Sequence, residues 1–187
     1  MRIIRDERDF TGLRSVVALG MFDGVHIGHQ KLIREAVKLA GEMGAESVVC
    51  TFDRHPLSVI RPEAAPEALL PLEKNLEKFE ALGAQWALVK GFTREFSAAE
   101  PEDYLRDLVS KMRVCAIVAG ENYTFGRKGR GNADMLRDAQ NALGFKAVIV
   151  PPVMDGEVMA SSTYIRSLLK SGDTAHAERL LAIAGQE

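Results

Sequence analysis

Five apolar runs of strand length recur along the chain with amphipathic helical patterns between them, and that alternation narrows the fold more than any other feature. The runs are SVVALG (15–20), SVVCTF (47–52), WALVKGF (86–92), VCAIVAG (114–120) and KAVIVPPV (146–153). Because they do not alternate apolar with polar residues, each is expected to be covered on both faces, as strands of a parallel sheet are. Over 29–43, Leu32, Ile33, Ala36, Val37, Ala40 and Met43 fall at helical spacing, while Lys31 with Glu35 and Lys38 with Glu42 pair one turn apart on the wet face. Further helices are predicted over 72–82, over 101–112 with Pro101 in the first turn, and over 132–143 before Gly144. Strand then helix, repeated, predicts an α/β fold with a doubly wound parallel sheet and right-handed crossovers.

After Pro151 and Pro152 the pattern changes. A turn at Asp155 and Gly156 leads into SSTYIRSLLKSGDTAHAERLLA, which reads as two short helices, the second capped by Asp173 after the stop signal at Gly172. The whole of 1–187 is expected to be a single domain with this small helical segment, at about 161–183, appended. The segment RPEAAPEALLP (61–71), with three prolines, is expected to be the mobile loop.

Charge and cysteine usage exclude several function classes. A formal charge of −2, from 24 basic and 26 acidic residues, provides no global field to gather nucleic acid or anionic lipid, so any anion recognition has to be local. No apolar run approaches the roughly 20 residues that cross a bilayer, and MRIIRDERDF lacks the apolar centre of a signal peptide. A cytoplasmic protein without nucleic-acid or membrane partners is expected. Cys50 and Cys115 sit in apolar runs without CxxC spacing, which predicts reduced, buried thiols.

The first strand runs into FDGVHIGH (22–29), a strand-to-helix turn with two glycines, an aspartate and two of the chain's four histidines. Ligands of open parallel sheets gather at the carboxyl ends of the strands, and the free N–H groups and dipole of the following helix suit a phosphate. Gly24 and Gly28 would let backbone approach an anion, and His26 and His29, three positions apart, could both address the same oxygens. Capping or surface roles remain the alternative for each histidine alone. No third metal ligand accompanies the pair, so no metal site is assigned. Neither GxxxxGK[ST] nor GxGxxG occurs. Ser161, Ser162 and Thr163 are N-cap residue types ahead of a helix; they could meet further phosphates, with Arg166 as a bidentate cation, or form an ordinary capped helix with a solvated arginine.

The stretch GMFDGVHIGH (20–29) resembles the HxGH signature of the nucleotidyltransferase superfamily, and its longer form is similar to that of the FMN adenylyltransferase (FAD synthetase) module of bacterial bifunctional riboflavin kinase/FMN adenylyltransferases. Three more stretches follow in the family's order: TFDRHPL (51–57) resembles TFDPHP, GENYTFG (120–126) resembles G-x-N-F-x-F-G, and SSTYIRSLL (161–169) resembles SSTxIR. The resemblance implies a Rossmann-like fold of the HxGH type and transfer of AMP from ATP to FMN, giving FAD and pyrophosphate by in-line attack without a covalent intermediate, with Mg²⁺ accompanying ATP. It implies catalytic roles for His26, His29 and Arg166, an ATP side built by Gly20, Phe22, Asp23, Gly24, Gly28, Ser162 and Thr163, and a flavin side built by Asp53, His55, Pro56, Asn122 and Phe125.

Arg54 stands where the family has proline, and Tyr123 where phenylalanine is more usual. An adenylyltransferase with another phosphorylated acceptor, or a non-catalytic regulator that binds flavin or nucleotide, are the competing readings. Arg127, Lys128 and Arg130 of GRKGRGN (126–132) are left open between a phosphate contact and a solvated loop. Bifunctional relatives continue into a β-barrel riboflavin kinase module; the sequence ends at AIAGQE without it, so a single-activity protein or an excised module is expected.

Overall fold

The computed structural model describes residues 1–183; residues 184–187, which the expected domain includes, lie outside the described residues. The five apolar runs become β2 (Ser15–Leu19), β3 (Glu46–Phe52), β4 (Trp86–Lys90), β5 (Val114–Gly120) and β6 (Lys146–Val150). A sixth strand, β1 (Arg2–Ile4), was not legible, because three residues carry no periodicity; pairing with β4, Ile4 against Leu88, creates it. All six run parallel in the order β1-β4-β3-β2-β5-β6. The doubly wound α/β expectation is met. Three strands end earlier than their apolar runs, β2 before Gly20, β4 before Gly91 and β6 before Pro151 and Pro152, which have no N–H to offer a ladder.

Helices α1 (Ile27–Met43) and α3 (Leu72–Ala81) cover one face of the sheet, and α5 (Pro101–Lys111) and α6 (Ala133–Leu143) the other; α2 (Leu57–Ile60) and α4 (Arg94–Ser97) are single turns in connecting loops. Successive residues of β2 serve opposite layers. Val16 and Ala18 pack with Ile33, Ala36 and Phe79, whereas Val17 and Leu19 pack with Leu105, Leu108 and Leu136. Burial on both faces is why the runs show no alternation. A short antiparallel pair, β7 (Met154–Asp155) and β8 (Val158–Met159), turns at Gly156 and leads to α7 (Ser162–Ser171) and α8 (Thr174–Leu181). Ile165, Ala177 and Leu180 form a small core between these two helices, and Ile27 and Leu69 pack against it.

The segment expected to be mobile is instead fastened. After a 3-10 turn at Pro62–Ala64, the backbone N–H groups of Leu69 and Leu70 donate to the Asp23 carboxylate. Both cysteines are free and buried, and burial pushes the Cys50 thiol up to about 12. No described helix is long and apolar enough to cross a membrane. The strand order reverses at β2, with β3 on one side and β5 on the other, so the end of β2 is the topological switch point where open α/β sheets bind ligands.

Candidate active site

The turn after β2 is strained. Phe22 and Val25 have φ of 52° and 48°, and Gly24 between them has φ of 80°. Left-handed backbone costs of order 1–3 kcal/mol at a non-glycine residue, and a β-branched valine there is an outlier that surrounding contacts have to enforce. The Gly24 N–H donates to Asn75 Oδ1 at 3.0 Å, Val25 and Phe22 are fully buried, and Phe22 packs edge-on to Phe79. Asn75 and Lys78 were missed from sequence. Their signal is two polar residues beside Phe79 on the inner stripe of α3.

The enforced turn delivers the two histidines. His26 becomes the N-cap position of α1, and its ring stacks on that of His29 with centroids 3.7 Å apart and planes 25° from parallel. Gly28 leaves room for this: a Cβ there would crowd the His26 ring, lying 3.1 Å from its Cε1. Burial holds His26 down to about 4, with the Lys78 charge adding to it, and burial together with the neighbouring His26 ring holds His29 well below the ordinary histidine value. At neutral pH both rings are uncharged, and each offers one N–H donor. The Nδ1 atoms of both are buried without a hydrogen-bond partner. Buried polar atoms are ordinarily paired, so an unpaired nitrogen on each of two adjacent rings carries a desolvation cost that the surrounding packing has to offset.

These rings border a cavity of about 260 Å³ lined also by Gly20, Gly28, Gly120, Asn122, Tyr123, Pro151, Met159, Ser161 and Ser162. Among the described residues no lysine or arginine lines it, and Glu121 does. An anion placed there would meet dipoles rather than a cationic side chain: the free N–H groups of the first turn of α1, those of α7, and the imidazole N–H groups. Two helix starts converge on one cavity, each from a different part of the chain.

The SSTYIR residues meet this site differently from the simple expectation. Ser161 caps α7 by accepting from the Tyr164 N–H, Ser162 Oγ donates to the Asp23 carbonyl at 3.0 Å, and Thr163 is exposed and outside the cavity lining. Arg166 ion-pairs with Asp23 and donates through Nε to the Glu67 carbonyl at 2.7 Å. The structure thus engages Asp23 and Arg166 with each other and with the 61–71 segment. Gly24 lies against Leu69 and Leu181, and Phe22 is in the core; neither lines the cavity.

A second cavity, of about 220 Å³, lies beyond Tyr123, which lines both. Its walls are aromatic: Phe52, Phe92 and Phe96 meet edge to face with centroids 5.1–5.7 Å apart, and Tyr104, Phe125 and Tyr123 continue the series. Pro56 and Phe125 reach it. Asp53 and His55 do not; with Asp23 they line a smaller cavity of about 110 Å³. Asp53 accepts from the Phe92 N–H at 3.0 Å and pairs with Arg54 at 2.9 Å, and His55 Nδ1 accepts from the Leu57 N–H at 3.1 Å. Asn122 belongs to the first cavity, with its amide against Met159 Sδ. In the basic loop, Arg127 and Arg130 share the Glu100 carboxylate, and Lys128, with φ of 55°, stands at the rim of the aromatic cavity. Phe92, Phe96 and Tyr104 were absent from the sequence-based site, since each reads as ordinary core.

Among the described residues, no group of three or more histidine, cysteine, aspartate or glutamate side chains is placed to hold a metal ion.

Comparison with known proteins places the chain among similar sequences and structures. A bifunctional riboflavin kinase/FMN adenylyltransferase of Listeria monocytogenes is 37% identical over 92% of this chain and 55% of its own length. A putative protein of the same description from Geobacillus thermodenitrificans is 32% identical over 97% of both chains. A crystal structure described as a macrolide-efflux protein from Streptococcus pneumoniae superposes with a TM-score of 0.83 at 31% identity, over 96% of this chain and 60% of that one. The chain spans about half the length of several relatives it matches. The FAD synthetase family profile matches residues 11–164, a span holding β2, the strained turn, both histidines, the aromatic cavity and the start of α7, and the chain belongs to the FAD synthetase family.

Proposed function

We propose that this chain transfers the adenylyl group of ATP to FMN, releasing pyrophosphate and giving FAD. The observation that carries the reading is the stacked pair of uncharged imidazoles, lining a cavity where two helix starts converge, one residue away from an aromatic cavity that suits a flavin ring. A phosphate monoester is already largely dianionic at neutral pH, so the attacking oxygen of FMN needs no general base. What the reaction needs is alignment and compensation of charge at the α-phosphorus. Neutral His26 and His29 supply N–H donors to the α-phosphate and its bridging oxygen, and the N–H groups opening α1 and α7 take the remaining phosphate oxygens. No bond to the protein forms at any stage. Arg166 and Asp23 act through each other, holding α7 against the turn, and Ser162 does the same through the Asp23 carbonyl.

Pro56, Phe125 and Tyr123 form part of the flavin wall in this reading, with Phe52, Phe92 and Phe96 completing it. The side chains around the turn do not make a cage for Mg²⁺, because the Asp23 carboxylate is taken up by Arg166 and two backbone N–H groups. Mg²⁺ typically enters such sites on substrate phosphates, with few protein ligands, and we assign it to ATP rather than to the protein.

Incubation with ATP, FMN and Mg²⁺ followed by chromatography should yield FAD and one equivalent of pyrophosphate. Riboflavin, which lacks the attacking phosphate, should yield nothing. Binding of both nucleotides without FAD would overturn the proposal in favour of a binding-only role.

A further inference from the structure

The strained turn is held from three sides at once. The carbonyls of Asp23, Gly24 and Val25 each accept a side-chain hydrogen bond from a different helix: Ser162 Oγ of α7 at 3.0 Å, Lys78 Nζ of α3 at 3.1 Å and Gln30 Nε2 of α1 at 3.0 Å. Two of these donors also grip a distant part of the chain. Lys78 Nζ donates to the Leu181 carbonyl at 2.7 Å, and Gln30 Nε2 donates to the Ala182 carbonyl at 2.8 Å. Both acceptors sit at the end of α8. The Leu181 side chain packs so closely on the turn that a Cβ at Gly24 would lie 2.9 Å from its Cδ2.

Gln30 is 1% exposed, and both hydrogens of its amide are committed, one to the turn and one to α8. A buried donor deprived of its acceptor bears the full cost of desolvation, so neither contact can be lost without pulling on the other. We infer that Lys78 and Gln30 are positioning residues that join the seating of α8 and the orientation of His26 and His29 into one cooperative unit. Release of the α8 end would remove one acceptor from each donor, loosen the bonds that enforce left-handed backbone at Phe22 and Val25, and let the imidazoles leave their stacked arrangement. Conversely, a ligand that fixes the imidazoles seats α8 more firmly, because the coupling is reciprocal. The kinetic consequence rests on the adenylyl-transfer reading; the structural coupling does not.

The test uses Gln30→Met and Lys78→Met in the full chain. For each, kcat of FAD formation should fall about tenfold, with the KM for FMN within about twofold, since the aromatic cavity is untouched. Lys78→Arg, which keeps the charge and two-way donation, should recover most of the loss. Residues with a purely structural role would lower the melting temperature and leave kcat per folded molecule unchanged, which would overturn the inference. A second readout needs no turnover: histidine ring NMR signals of the nucleotide-free protein. Gln30→Met removes no charge, yet it should displace the signals of His26 and His29 while that of His55, held by its own bond to Leu57, stays. Amide exchange over 177–181 should quicken about tenfold in the same variant. Unmoved His26 and His29 signals would sink the coupling whether or not the chain makes FAD. Moved signals in the variant of a chain that forms no FAD would uphold the coupling and overturn the adenylyl-transfer reading instead. Should Lys78→Met fail to fold, Gln30→Met and Lys78→Arg carry the same two readouts.

Discussion

The two cavities that meet at Tyr123 are built by opposite means. The histidine cavity depends on a backbone forced into left-handed geometry and held there by donors from three helices, and among the described residues no lysine or arginine lines it. The aromatic cavity needs no such device: its rings pack on one another as core residues do, and Tyr104 and Phe125 also belong to the main core. An anion undergoing reaction requires dipoles fixed before it arrives, and fixed dipoles have to be enforced by long-range bonds. A flat apolar ring requires only a gap of the right shape between side chains that are already rigid. Damage to the first cavity is therefore expected to appear in kcat, and damage to the second in KM.

The largest effect that can break this comparison is at His29. His29→Ala should lower kcat by about 10²–10³ while leaving the melting temperature near that of the parent chain, because its Nδ1 is without a hydrogen-bond partner. Retained turnover in steady-state assays would remove the dipole account of the cavity.

Acid stability separates the cavities next. The unfolded chain binds a proton at each histidine below about 6.5, whereas folded His26 does so only near 4. Between those values the unfolded state holds more protons, so stability is complete above pH 6.5 and is lost as the pH falls through that window. For His26, 5% exposed, the loss is about 3 kcal/mol by pH 4. Denaturant titrations of the parent and of His26→Asn should show the slope flattened in the variant; equal slopes would refute the buried-neutral assignment. The aromatic cavity contributes nothing in this window, since burial pushes the Tyr104 and Tyr123 hydroxyls further above the neutral range.

The smallest effect is at Phe96, which packs edge-on to Phe52, Phe92 and Tyr104. Phe96→Ala should raise the KM for FMN about tenfold, with kcat and the KM for ATP within about twofold. A parallel rise in the KM for ATP would show that the two cavities do not act separately.

Local signals carried much of this molecule. Apolar runs buried on both faces have no alternation to hide, so β2 to β6 could be read directly, as could the caps at Ser161 and Asp173 and the stop at Gly172. His26 and His29 could be chosen because helical spacing and the position after a buried strand are properties of neighbours in the chain. The edge strand β1, with three residues, could not.

What neighbours in the chain cannot specify is which partner a polar group will take. Asp23 reads as part of the ATP side and Arg166 as a catalytic cation, and the fold pairs them with each other; Asp53 and His55 read as flavin contacts, and they lie beside a smaller cavity. Gln30, Asn75 and Lys78 read as nothing in particular and prove to hold the turn. The sequence by itself determined the layered α/β architecture and the location of the reactive turn, because hydrophobic periodicity and helix dipoles act over a few residues. Only the tertiary structure decided how the turn is strained, which donors remain free and where the aromatic cavity opens, because those depend on contacts between residues far apart in the chain, such as Gly24 with Asn75, 51 positions on, and Gln30 with Ala182, 152 positions on.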